Sequence, residues 1–184
     1  GYDSAGLAIF DDANQVQVFK STGKVAELQN SIDKNPVNGN LGIAHTRWAT
    51  HGIPTETNAH PHHSNNNVFV IHNGIIENHQ EIRTTLKALG YVFESETDTE
   101  VIAHLIHAKM SKEGASLVEA LQQSVKDLRG AYAIGAVCET EPGILAAARK
   151  GSPLVVGIGH GENFIASDQL ALADFAEKFV FLED

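Results

Sequence analysis

The run His45-Thr-Arg-Trp-Ala-Thr-His-Gly52, followed by Asn58-Ala-His-Pro-His62 and by His72-Asn-Gly-Ile-Ile-Glu-Asn78, concentrates imidazole, guanidinium, hydroxyl and carboxamide groups. Side chains of these kinds can hold a small amino acid and stabilise an oxyanion. No evident nucleophile lies among them. Ten histidines in 184 residues, seven of them between His45 and His79, first suggest zinc. Pro61, however, prevents a helical His-x-x-x-His face, and no Cys or carboxylate stands at a familiar ligand spacing, so no metal is assigned. The bland alternative is that several of these histidines are exposed loop residues.

Each candidate has a structural reading beside the chemical one. Arg47 can grip a carboxylate in bidentate fashion or form a surface ion pair. Asp98 can contact a ligand, or simply complement a helix start. Asn73-Gly74 is either a tight hairpin turn or a pair of oxyanion donors, one a side-chain amide and the other an unhindered backbone N–H. Trp48, the single tryptophan, sits among polar residues, where a mobile lid or contact role is easier to explain than burial.

These residues need elements to hold them. Leu7 to Phe10 and Val16 to Lys20, separated by Asp11-Asp-Ala-Asn14, predict a hairpin; further strands are expected at Leu41 to His45 and Val68 to His72. The histidine-rich run would then be a loop between two strands. Ile82, Leu86 and Leu89 predict a helix over 78–89, ended by Gly90, and a strand is expected at Tyr91 to Glu94. Thr97-Asp-Thr-Glu100 and Ser116-Leu-Val-Glu119 both match a capping box, so two helices should start there. Beyond Gly130 the pattern returns to strands at 132–138, 144–148, 154–158 and 164–166, then a short helix at 168–176 and a closing strand at 179–182. Central helices flanked by hairpins predict an α+β layered sandwich and not a doubly wound parallel sheet.

The bulk numbers set limits. A chain of 184 residues can bury one substantial core, and one domain is expected. Thirteen basic against 23 acidic residues give a formal charge of -10, which disfavours a nucleic-acid partner. One cysteine cannot form an internal disulfide, and apolar runs such as Val68 to Ile71 are too short to cross a bilayer. A soluble protein of a reducing compartment is expected. Both ends look cut from something longer: the first residue is not Met, and the last run, Lys178 to Asp184, has no polar tail.

Taken in order, Gly1-Tyr-Asp-Ser-Ala-Gly6, His45 to Gly52, Asn58 to His62, His72 to Asn78 and Ser95-Glu-Thr-Asp-Thr-Glu100 resemble the glutaminase domains of the glucosamine-6-phosphate synthase family. Leu128-Arg-Gly-Ala-Tyr132, Gly151-Ser-Pro-Leu154 and Glu162 to Asp168 continue the resemblance, and Ser167 to Leu172 suggests its bacterial form. These are class II glutamine amidotransferases of the N-terminal-nucleophile hydrolase type. The resemblance implies a four-layer α/β/β/α sandwich of two antiparallel sheets, no cofactor, a cytoplasmic homodimer, and ammonia released from L-glutamine for fructose 6-phosphate bound by a sugar isomerase half.

It further implies that Arg47 holds the glutamine α-carboxylate and Asp98 its α-ammonium. Thr50, His51 and His60 match substrate-contacting positions, Trp48 matches the residue on a mobile loop that gates ammonia, and Asn73 with the Gly74 amide matches the oxyanion hole. The family nucleophile is a cysteine at the very N-terminus, whereas Gly1 matches a position after the family's first strand and helix. Cys138 lies in an apolar run, where an inert thiol is expected. The 184 residues alone are therefore expected to be inactive and, with a sheet edge exposed, prone to aggregate. Rival readings are a glutamine-binding domain without catalysis, another class II amidotransferase with a different acceptor, and a metal-dependent hydrolase.

Overall fold

The computed structural model describes residues 2–184. It opens with the expected hairpin, β1 (Ser4–Phe10) against β2 (Val16–Thr22), paired from Ser4↔Thr22 to Phe10↔Val16. The Asp11 carboxylate fixes the turn by accepting the Ala13 and Gln15 N–H groups at 2.9 and 3.0 Å. A helix not anticipated from the sequence follows, α1 (Val25–Lys34). It has no side-chain cap and buries only Leu28, so its apolar signal is weak. The other side of β1 pairs with β3 (Gly42–Arg47).

Beyond a long connection come β4 (His62–Ser64) and β5 (Val68–Ile76). The histidine-rich run is thus not wholly a loop. Its last part is a three-residue strand, too short to show a period of two. Three helices succeed it, α2 (His79–Ala88), α3 (Glu100–Glu113) and α4 (Leu117–Ser124). Then come β6 (Gly130–Cys138), β7 (Ala146–Lys150), β8 (Val155–Ile158) and β9 (Asn163–Ala166). One turn of 3-10 helix at Gln169–Leu172 and β10 (Lys178–Phe181) complete the chain. The longer helix expected at 168–176 is therefore reduced to that turn.

Two further expectations fail for a shared reason. Tyr91 to Glu94 forms no strand, and α3 is capped at Thr99 without a side-chain bond, not at Thr97. The Glu100 carboxylate instead accepts the backbone N–H groups of Glu94 and Ser95 at 2.8 and 2.7 Å. A reach-back that resembles a capping box in sequence here pins a loop. At Ser116 the capping box forms as expected, Glu119 N donating to Ser116 Oγ at 3.3 Å while Ser116 N donates to the Glu119 carboxylate at 2.9 Å.

All strand ladders are antiparallel. They pair as β2-β1-β3, β4-β5-β6-β7 and β10-β8-β9, so the expected two sheets are resolved into three. After β7 only an isolated bridge between Tyr132 and Gly151 continues the central sheet before β8 joins the third ladder. Alternation on the central strands builds two cores. Val68, Val70, Ile134, Ala136 and Cys138 pack with Ile102, Ile106 and Leu121 of the helices. Phe69 and Val137, on the opposite face, pack with Ala8, Phe10 and Ile43. With α1 packed on β1 and β2, the order is helix, sheet, sheet, helices. No helix among the described residues is long and apolar enough to cross a membrane.

Candidate active site

Where the two sheets stop packing tightly, a cleft of about 450 Å³ opens between β3, β5, β6 and β9. Period two on β3 puts His45 and Arg47 on the same face as the core residue Ile43. On β5 it puts Asn73 on the same face as Phe69, one strand position after buried His72. Arg47, Trp48, Thr50, His60, Asn73, Gly74 and Asp98 all line this cleft, and His51 alone among the expected site residues does not. His51 stands behind Asp98, its Nδ1 3.7 Å from Asp98 Oδ1 and its ring edge-on to His79.

Arg47 is not a surface ion pair. It is 4% exposed, and Nη2 donates to Gly52 O at 3.2 Å and to His51 O, which folds the following loop around the guanidinium. Nη1 has no hydrogen-bond partner among the described residues; the nearest acid is Asp3, at 3.9 Å. Asp3 also accepts the Ala49 N–H at 2.5 Å and so holds the loop at its start. Nothing in its spacing in the sequence marked Asp3 for that task.

Asp98 is not a helix cap either. Its Oδ2 accepts the Ile76 N–H at 2.7 Å, which ties the carboxylate to β5 just beyond Gly74. The loop before it is clamped from both sides. Arg83 donates to Ser95 O and Thr97 O at 3.1 and 2.7 Å, its guanidinium 4.3 Å above the Phe93 ring. Glu100 takes the N–H groups from below, together with Ser95 Oγ at 2.6 Å. Burial would raise the Glu100 carboxyl, but the His104 imidazole 3.5 Å away and the hydrogen bonds from Ser95 and the two backbone N–H groups outweigh this and hold it at about 2.

Asn73-Gly74 is not a turn. Both residues lie inside β5, paired with Ala133 and Tyr132 of β6. Gly74 has φ +133, and a Cβ there would meet Ala131 O at 2.1 Å, so only glycine fits. The result is a carboxamide side chain and a bare peptide side by side on the cleft wall.

The histidines between these groups are mostly buried, contrary to the exposed-loop alternative. His60, His62 and His72 are each no more than 5% exposed, and His45 stacks on His60 with centroids 4.2 Å apart. One fixed donor orders part of the network: His72 N–H donates to His60 Nδ1 at 3.2 Å, which leaves the His60 proton on Nε2, facing Thr99 Oγ1 at 3.4 Å. The Thr99 hydroxyl is then free to donate to His72 Nδ1 at 2.9 Å. Thr97 Oγ1 lies 3.1 Å from His62 Nε2. Burial, reinforced by the neighbouring His72 and Arg47, lowers His45 to about 4. Burial also lowers His72 to about 4 against the opposing pull of Asp98, and holds His60 and His62 well below their ordinary range. Near neutral pH this wall carries hydrogen bonds and no charge. Among the described residues no group of three His, Cys, Asp or Glu side chains is placed to hold a metal ion.

A family model described as a glutamine amidotransferase domain matches residues 45–174, a stretch that holds most of the residues lining the cleft. The chain belongs to this glutamine amidotransferase family. Over all 184 residues this amidotransferase chain is 55% identical to the glutamine–fructose-6-phosphate aminotransferase (isomerizing) of Pseudomonas aeruginosa and 54% identical to that of Escherichia coli. It spans 30% of the length of each of these curated relatives. Among solved structures, the glutamine phosphoribosylpyrophosphate amidotransferase of B. subtilis is similar, with TM-score 0.76 and 28% identity over 99% of this chain and 39% of that one. A structure described as the allosteric regulatory enzyme of purine biosynthesis gives TM-score 0.78 and 29% identity, over 94% of this chain and 37% of that one.

Proposed function

We propose that this amidotransferase chain is the glutamine-hydrolysing part of a cytoplasmic glutamine:fructose-6-phosphate amidotransferase, and that the cleft holds L-glutamine. The observation that carries the reading is the shared cleft of Arg47, Asp98 and the Asn73-Gly74 pair. Arg47, with Nη1 unpartnered among the described residues, receives the α-carboxylate. Asp98 keeps Oδ1 clear of its bond to Ile76 and receives the α-ammonium. This charge pair selects a free amino acid over one held in a peptide.

The carboxamide of the bound glutamine then extends towards Asn73 and Gly74. Attack by a thiolate on its carbon would place negative charge on the amide oxygen, where the Asn73 Nδ2 and a backbone N–H stabilise it. Ammonia leaves, and water hydrolyses the thioester to give glutamate. The thiol is not Cys138, which is buried on the helix-facing side of β6, its Sγ 3.1 Å from Asn67 Oδ1. It belongs to the cysteine that the family resemblance places at the N-terminus. Trp48, 67% exposed at the cleft rim, is positioned to cover the ligand and to direct ammonia towards a sugar isomerase half in a homodimer. Fructose 6-phosphate is favoured as acceptor because identity to the aminotransferases of that name is 55%, against 28% to the phosphoribosylpyrophosphate enzyme.

Ammonia release from L-glutamine by the full-length enzyme, with the Arg47→Ala and Asp98→Asn variants alongside, tests the assignment. Each variant should raise KM by tenfold or more, roughly the value of one charge-assisted hydrogen bond. An unchanged KM in both would remove the two residues from glutamine recognition.

A further inference from the structure

Asn58, 3% exposed, has no part in the roles assigned above, yet its carboxamide joins the loop that wraps the Arg47 guanidinium to the loop that carries Asp98. Its Nδ2 donates to Ile53 O at 2.9 Å and to Glu96 Oε2 at 3.1 Å, and its Oδ1 accepts the Glu96 N–H at 2.9 Å. Ile53 directly follows Gly52, whose carbonyl accepts from Arg47 Nη2. Glu96 stands two residues before Asp98. Contact between the loops is tight: Gly52 has φ +76, and a Cβ there would lie 2.7 Å from Asn58 Nδ2 and 2.9 Å from the Glu96 Cβ. A connected path therefore runs from the guanidinium through Gly52, Ile53, Asn58 and Glu96 to the Asp98 carboxylate.

We propose that Asn58 is a positioning residue that determines specificity, because it sets the separation of Arg47 and Asp98 so that one α-amino acid engages both. The inference rests on the assignment of those two residues to the α-carboxylate and α-ammonium. Only a carboxamide supplies what the position uses, two donor directions and one acceptor on a short side chain. An aspartate would keep the Glu96 N–H bond, lose the donor to Ile53 O and set a like charge against the Glu96 carboxylate. The loops would part without any change to either charged residue.

Competitive inhibition of the full-length enzyme by two probes separates this role from a general loss of structure. L-glutamate presents both α-groups, whereas glutarate lacks the α-ammonium and can use only the Arg47 grip. The unsubstituted enzyme should bind L-glutamate more tightly than glutarate. Asn58→Asp should weaken L-glutamate about tenfold and glutarate less than about twofold, with KM for glutamine raised more than kcat is lowered. Glu96→Ala, at an exposed position that tolerates truncation, should shift the same ratio in the same direction by about threefold. Adding Glu96→Gln to Asn58→Asp removes the like charge and restores a side-chain donor, and should recover part of the ratio.

If the unsubstituted enzyme prefers L-glutamate but both single variants keep its ratio, or weaken the two inhibitors equally, the positioning role is wrong and the glutamine assignment stands. If the unsubstituted enzyme does not discriminate the two inhibitors and Asp98→Asn has no effect, the glutamine assignment itself fails and the positioning role fails with it.

Discussion

On β5 and β6, Val68, Val70, Ile134, Ala136 and Cys138 turn towards the helices and are closed from solvent, whereas Phe69, Ile71, Asn73 and Gly135 turn towards β3 and β9, where packing opens into the cleft. The same strands supply both faces by alternation. The helix face is filled by large apolar side chains; the cleft face has Ala133 and Gly135 where bulk would close it. At Gly135 a Cβ would already lie 2.9 Å from Ile165 Cδ1 of β9. The cleft is made by small residues on one face as much as by polar ones, and the other face supplies the packing that allows it.

The sharpest way to separate the polar wall from the apolar face is pH. His45 and His72 titrate near 4 when folded but near 6.5 when the chain is unfolded, and His60 and His62 are shifted in the same direction. Because the folded values are depressed, the unfolded chain binds more protons below about 6.5, so stability is complete above that value and falls as pH drops through 6.5 towards 4. At pH 5 the loss should be about 2 kcal/mol for each of His45 and His72, several kcal/mol in total. Urea denaturation at pH 7 and pH 5 measures this; equal midpoints would mean that the histidine wall is solvated.

On the helix face, Ile134→Ala should cost about 2–5 kcal/mol of stability, because a fully buried side chain leaves a cavity among Ile102, Ile106 and its neighbours. Its cost should be the same at pH 7 and pH 8, where the histidines do not titrate. On the cleft face, Asn73→Ala should leave thermal stability within about 0.5 kcal/mol, since the side chain is exposed. It should lower kcat of the full-length enzyme about a hundred- to a thousandfold with little change in KM, as expected for an oxyanion donor. A large KM effect would instead make Asn73 a ground-state contact.

What the sequence made legible follows the same division. Periods of two and 3.6 expose the helix-facing set because burial there depends only on neighbours in the element, and Ser116 and Glu119 form the capping box that local spacing predicts. Glu100 misled because the same spacing was diverted to the loop of Ser95, a choice made by tertiary packing. Arg47, Asn73, Gly74 and Asp98 were found through ordered motifs, yet their alternatives of ion pair, turn and cap could be discarded only from the bonds to Gly52, Ala133 and Ile76. Asn58 and Glu96 are 38 residues apart, and no periodic pattern links a carboxamide to a carboxylate over that distance. Asp3 and Arg47 are joined in the same hidden way across a β1–β3 ladder.

Cys138 gives the smallest expected effect and the cleanest contrast, because it is the chain's one thiol and lies on the face without chemistry. Its Sγ meets Asn67 Oδ1 at 3.1 Å and Thr140 Oγ1 at 3.0 Å, and the turns around 65–67 and 139–141 have other backbone bonds to keep them in place. Cys138→Ala removes one sulfur atom from a closed core and should cost about 1 kcal/mol of stability. The glutaminase kcat and KM of the full-length enzyme should be unchanged, since the thickness of the sheet, with two residues of β6 before Gly135 and four before Ala133, separates this thiol from the cleft. A fall in kcat at unchanged stability would show that the helix face of the sheet reaches the chemistry, and the division between the two faces would have to be redrawn.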